Sequence, residues 1–178
     1  MNTSVKKPCE WNREKIAAIK EVAVVDDREE NLAAARVALA ECLPSATIRT
    51  FNSAGKIVTE LMFLGYRPSL VLTDLDIEDE EAGFKVNMAA WGNGVPAVVV
   101  TAKDGGHHGT TTNISMVGGK FSYSKKDNPE TWKKVVGYIM DDETYATHYA
   151  ILGYGKRESF SNDIARTFDA FARRFLER

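Results

Sequence analysis

Short apolar runs alternate with polar, helix-forming stretches along most of this chain. The first run, Val22-Ala23-Val24-Val25, ends on Asp26-Asp27, and the stretch over about 28–42 places Leu32, Ala35, Leu39 and Cys42 on one helical face. A second strand is predicted from Ala46 to Phe51, followed by a helix that Ser53 would cap and Gly65 would end. Strand 70–73, a helix near 82–91, strand 95–100, a Gly/Thr-rich stretch, strand 120–124 and a helix over about 129–140 complete the series. Strands that are apolar on both faces and separated by helices or loops imply a parallel sheet covered on both sides. The expected architecture is α/β: a three-layer, doubly wound, five-stranded parallel sheet in the order 2-1-3-4-5. The flanks break the rhythm. Residues 1–20 read as a polar arm in which Trp11, Ile16 and Ile19 hint at a short helix. In the C-terminal extension, 142–178, the residues Phe160, Ile164, Phe168, Phe171 and Phe175 recur at helical spacing, which predicts an amphipathic helix over 160–176. Such a stripe would pack on the domain, or serve a homodimer or a protein partner.

The strand ends carry the chemistry. Asp26-Asp27 close the first strand, Asp74 closes Leu70-Val71-Leu72-Thr73, Thr101 follows Val98-Val99-Val100, and Lys125-Lys126 follow Phe121-Ser122-Tyr123-Ser124. In open parallel sheets ligands bind beyond the carboxyl ends of strands where the order reverses, which for 2-1-3-4-5 lies between strands 1 and 3. That topology would make Asp26, Asp27 and Asp74 neighbours. Like charges at close range raise one another's pKa, so three carboxylates in a cleft call for a counter-charge. Mg2+ suits them, because it takes oxygen ligands, keeps several waters and shares its shell with phosphoryl oxygens.

Composition narrows the partners. At 178 residues, with 44% apolar and 27% charged residues and a net charge of -2, the chain is long enough for a full core and lacks the basic surplus that nucleic acid demands. Two cysteines, Cys9 and Cys42, are too few for a disulfide framework, so a cytoplasmic location is expected. No apolar stretch has the length of a membrane span, and the polar start lacks a signal-peptide core.

Val24-Val25-Asp26-Asp27, Val71-Leu72-Thr73-Asp74, Val98-Val99-Val100-Thr101-Ala102 and Tyr123-Ser124-Lys125-Lys126-Asp127 together resemble the receiver domain of bacterial two-component response regulators, over residues 21–141. By that resemblance Asp74 is the phosphoacceptor, taking a phosphoryl group from a sensor histidine kinase, a phosphotransfer protein or a small phosphodonor. Asp26, Asp27 and Asp74, with the backbone carbonyl of Asp76, would hold Mg2+. Thr101, Ala102 and a lysine would receive the phosphoryl oxygens, and an aromatic on strand 5 would switch the outer face toward a downstream protein. The family's spacing selects Lys126 with Tyr123 and Gly119; Lys125 would instead put Ser122 at the switch position. Residues 142–178 are too few for a DNA-binding effector.

The chain departs from that family at three places. Asp127 stands where a proline commonly follows the lysine and accompanies a cis peptide. The acidic run Asp76-Ile77-Glu78-Asp79-Glu80-Glu81 replaces a short loop with a proline, and Gly83 comes about one residue late. Between strands 4 and 5, Lys103 to Thr112 is hostile to helix, and its His107-His108 pair, with no further spaced ligands, makes a poor chelate. Plainer readings of the same residues stay open: Asp27 with Glu30 as a capping pair, Thr101 as a turn residue, and the lysines as solvated. Two other functions fit as well. Asp74-Leu75-Asp76 resembles the Asp-x-Asp motif of haloacid-dehalogenase-type phosphohydrolases, with Asp74 as nucleophile and Asp76 as general acid/base, although that family places its acid pair last. A receiver-like scaffold that is never phosphorylated is the other.

Overall fold

The computed structural model describes residues 17, 19–79, 82–101, 120–122 and 125–141. Most of the polar arm 1–20, Ala102, the stretch with His107-His108, Gly119, Tyr123 and the extension 142–178, on which the helix over 160–176 is expected, lie outside the described residues.

Among the described residues, nine elements follow in chain order: β1 (Glu21–Val25), α1 (Glu29–Cys42), β2 (Thr47–Phe51), α2 (Ala54–Phe63), β3 (Leu70–Thr73), α3 (Ala82–Gly92), β4 (Ala97–Thr101), β5 (Lys120–Ser122) and α4 (Pro129–Asp141). The strands form one parallel sheet ordered β2-β1-β3-β4-β5. Val25 pairs with Phe51 on one side and Thr73 on the other, Thr73 with Val99, and Thr101 with Ser122. The carboxyl ends of β1 and β3 are therefore adjacent, and the order reverses between them, as the apolar pattern predicts.

Alternate residues of β1 supply two separate cores. Val22 and Val24 point with Leu70, Leu72, Val98 and Val100 into a layer formed by α1 and α4, where Leu32, Leu39, Trp132, Val135 and Val136 are buried. Ala23, Val25 and Val71 face the other layer, against Ile57 and Leu61 of α2 and Val86, Ala89 and Ala90 of α3. Period-two burial on both faces is the reason these strands carry no polar interruption before their ends.

The edge strand β2 is only partly covered and is managed differently. Arg49 lies over the rings of Phe51 (5.0 Å) and Tyr66 (4.4 Å) while pairing with Glu60 at 2.8 Å. A charged side chain pinned across a sheet edge discourages further strand pairing there. Burial pushes the Cys42 thiol, on the inner face of α1, up to about 11. At about pH 8.5, where a free thiol is half ionised, native Cys42 should react with iodoacetamide roughly a hundredfold more slowly than in urea. Peptide-resolved mass spectrometry checks this, and equal rates would show that α1 opens readily.

Two expected caps take a different form. Ser53 occupies the N-cap of α2 with extended backbone, yet its hydroxyl makes no cap; it donates instead to Glu78 Oε2 at 3.1 Å. Asp27 and Glu30 are not a capping pair either. Arg28 is the N-cap residue of α1, without a side-chain cap, and Glu30 pairs with the Arg28 guanidinium. Gly65 does end α2, at φ 72°, a conformation in which a Cβ would be strained.

Candidate functional site

The end of β1 delivers two carboxylates with opposite fates. Asp26 is fully buried and Asp27 is exposed, because successive residues of an extended strand point to opposite sides. Asp26 Oδ1 accepts from the Arg28 backbone N–H (3.1 Å) and from Asn31 Nδ2 (2.9 Å), and its Oδ2 meets Lys126 Nζ at 2.7 Å. Three donors, a backbone N–H, an amide and an ammonium, thus surround this one carboxylate. A buried carboxylate persists only with such partners, and removing one member of a buried ion pair typically costs about 3–5 kcal/mol.

Asp74 stands at the neighbouring strand end and is 9% exposed. Its Oδ1 accepts from the Leu75 backbone N–H at 2.7 Å, and its Oδ2 lies 2.5 Å from Lys126 Nζ. Burial raises the Asp74 pKa above the ordinary carboxylate value; Lys126 opposes that rise and Asp26 adds to it. Lys126 therefore bridges the two carboxylates. Lys125, its neighbour, is exposed and takes no part in this bridge.

The lysine is positioned by the helix that follows it. Trp132 Nε1 donates to the Lys126 carbonyl and Thr131 Oγ1 to the Lys125 carbonyl, each at 2.7 Å. Trp132 is itself fully buried, so the turn before α4 is fastened to the core. No cis peptide occurs among the described residues, Lys126-Asp127 included.

The third acid joins from the open side. Carboxylate oxygens of Asp26, Asp27 and Asp74 lie within 4.8 Å of one another. One ammonium among three carboxylates leaves negative charge in excess, and an all-oxygen donor set of this kind suits a hard divalent cation. Asp76 is half-buried two residues beyond Asp74, and Thr101 is buried at the end of β4. Ala102 and Tyr123 are among the sequence-derived candidates that lie outside the described residues.

Five contributors to the site were not assigned a role by sequence reasoning. Asn31, on the buried face of α1, looks like an ordinary helix residue until its amide is seen on Asp26. Trp132 and Thr131 fall inside the helix expected over about 129–140 with nothing to set them apart. Gly83 looked merely late, but an added Cβ there would fall 1.6 Å from the Asp74 carbonyl oxygen, and its N–H donates to the Leu75 carbonyl at 2.7 Å. Glu78 stood out only as one member of the acidic run Asp76 to Glu81, although it is the sole non-glycine with positive φ among the described residues.

No protein-family model matches the chain, and no curated protein does. Solved structures do share its architecture. The Mn(2+)-bound form of response regulator Rcp1 matches with TM-score 0.58 at 16% identity, over 68% of this chain and 95% of that one. The phosphorylated cyanobacterial phytochrome response regulator RcpA matches with TM-score 0.55 at 16% identity, over 68% and 94%. A response regulator receiver protein from Burkholderia phymatum matches with TM-score 0.52 at 22% identity, again over 68% and 94%. The chain has the fold of response regulator receiver domains.

Proposed function

We propose that this chain is a receiver-type response regulator that accepts a phosphoryl group on Asp74 and signals through protein contacts. The observation that carries the reading is the shared rim of Asp26, Asp27 and Asp74, bridged by the buried Lys126. That a Mn2+-bound and a phosphorylated response regulator have the same fold supports it further.

Asp74 Oδ2 is the oxygen suited to attack, since Oδ1 is held by a backbone N–H. The new P–O bond forms as the donor's P–N bond, in a histidine kinase or phosphotransfer protein, breaks. Little covalent help is needed, because phosphoryl transfer depends on positioning and charge neutralisation. Lys126 moves its ammonium from the carboxylate to a phosphoryl oxygen, and Thr101 offers a hydroxyl to another. Mg2+, held by Asp26, Asp27 and Asp74 with the Asp76 carbonyl, supplies charge neutralisation when bound. Asp76, two residues on, orients water and so tunes loss of the phosphoryl group. The downstream protein reads the outer face, with Tyr123 as the switching aromatic; helix 160–176 offers a homodimer contact.

The test uses the full chain with Mg2+ and acetyl phosphate, or beryllofluoride as mimic. Intact-mass spectrometry should find one phosphoryl group per chain, and none when a chelator withholds the cation from the start. Rapid turnover of phosphate esters without a lasting adduct would instead indicate a phosphohydrolase using Asp74 and Asp76. Inertness toward both reagents would leave the unphosphorylated scaffold.

A further inference from the structure

The loop after β3 holds an outlier that the phosphoacceptor chemistry does not require. Glu78 has φ 64°, and across it the Asp79 N–H donates to the Ile77 carbonyl at 2.6 Å. A three-residue hydrogen-bonded turn with positive φ at its centre is the rare and strained form of γ-turn, and a non-glycine residue pays for that conformation. Ile77 is fully buried against the α2/α3 layer, which fixes one leg of the turn. The turn aims the Glu78 N–H at Asp27 Oδ2, 3.2 Å away. The Glu78 carboxylate, in turn, accepts from Ser53 Oγ, the same hydroxyl that does not cap α2.

Three separate connections of the chain supply these groups. The strained residue, the Asp27 carboxylate it donates to and the displaced cap residue lie on the β3–α3, β1–α1 and β2–α2 connections respectively. They meet at the one acid of the site that is exposed and that Lys126 does not hold. Without a fixed donor, an exposed carboxylate samples several rotamers and must be ordered when it takes a ligand.

We infer that Glu78 is a positioning residue for Asp27. Its strained turn presents a backbone N–H that holds one Asp27 oxygen and leaves the other directed to the cation, while the Ser53 hydroxyl tethers the turn in that conformation. The inference rests on the proposed cation site and concerns how that site is kept ready. What matters in Glu78 is its backbone conformation first and its acceptor atom second. Its negative charge is not needed.

Substitutions separate these contributions, with Mn2+ affinity of the full chain, measured by titration calorimetry, as the readout. Glu78→Ala keeps the steric cost of positive φ and loses the tether, so the turn opens and Mn2+ affinity falls about fivefold. Glu78→Gly also loses the tether but adopts positive φ freely, so its affinity stays within about twofold of wild type. Glu78→Gln keeps an acceptor for Ser53 and should match the glycine variant. Equal weakening of the alanine, glycine and glutamine variants would overturn the inference, since only charge would then matter, and so would three unchanged affinities. Failure of the wild-type chain itself to bind Mn2+, or binding that survives Asp27→Asn undiminished, would remove the cation site and this inference with it; the variant series fails separately, against an intact wild-type site.

Discussion

Replacing Asp74 by asparagine should abolish the phosphoryl adduct, to below about 1% of the wild-type yield, while the fold survives. Asparagine keeps an oxygen to accept the Leu75 N–H but offers no anionic oxygen to phosphorus. Stability gives a second readout of the same substitution. Because burial lifts the folded-state pKa of Asp74 above its ordinary value, ionisation of this side chain costs the native state free energy. That cost is absent below the ordinary carboxylate range, where the group is protonated in both states. It develops as pH rises through the raised value, and the asparagine variant lacks it. Urea unfolding of both proteins across the acid range should therefore show the wild type losing ground to the variant with rising pH. A labelled product from Asp74→Asn would transfer the phosphoacceptor role to another residue.

Gly83→Ala carries the largest expected effect on the fold itself. The added methyl would stand 1.6 Å from the Asp74 carbonyl oxygen, 2.6 Å from its carbonyl carbon and 2.8 Å from Leu75 Cα. All three are backbone atoms, so no side-chain rotation relieves the clash. Either α3 withdraws from the end of β3 or the Asp74-Leu75 backbone shifts, and a loss of about 3 kcal/mol follows. The denaturation midpoint should drop with its slope unchanged, and the adduct yield should fall because Asp74 moves with its own carbonyl. Stability within about 0.5 kcal/mol of wild type would mean that α3 and β3 are held less closely than these contacts imply.

Much of this architecture was legible because burial on both faces leaves a plain mark in sequence. Val22-Ala23-Val24-Val25 and Leu70-Val71-Leu72-Thr73 admit no alternation, and each stops at an acid where the strand leaves the core. Lys126 could be separated from Lys125 only by spacing borrowed from a family; the structure buries the former at the carboxylates and leaves the latter exposed. What escaped notice was every contact made between connections. Ser53 has the residue type and backbone of a cap, but its hydroxyl is claimed by Glu78, twenty-five positions away. Local propensity cannot register a competitor that only the tertiary fold brings near. Gly83 was noticed for its displacement, not for the backbone pressed against it. Asn31 carried no mark, since a buried polar residue on an alanine-rich helix is indistinguishable in sequence from a solvated one.

The fastening of the turn before α4 sets a limit on how the site can work. With the carbonyls of Lys125 and Lys126 both tied to one helix, and that helix rooted by a buried indole, the main chain there is a fixed pivot. The amine swings on its own methylene boom and no farther. An incoming anion must travel to this rim to be gripped, for the crane cannot be wheeled out to meet it.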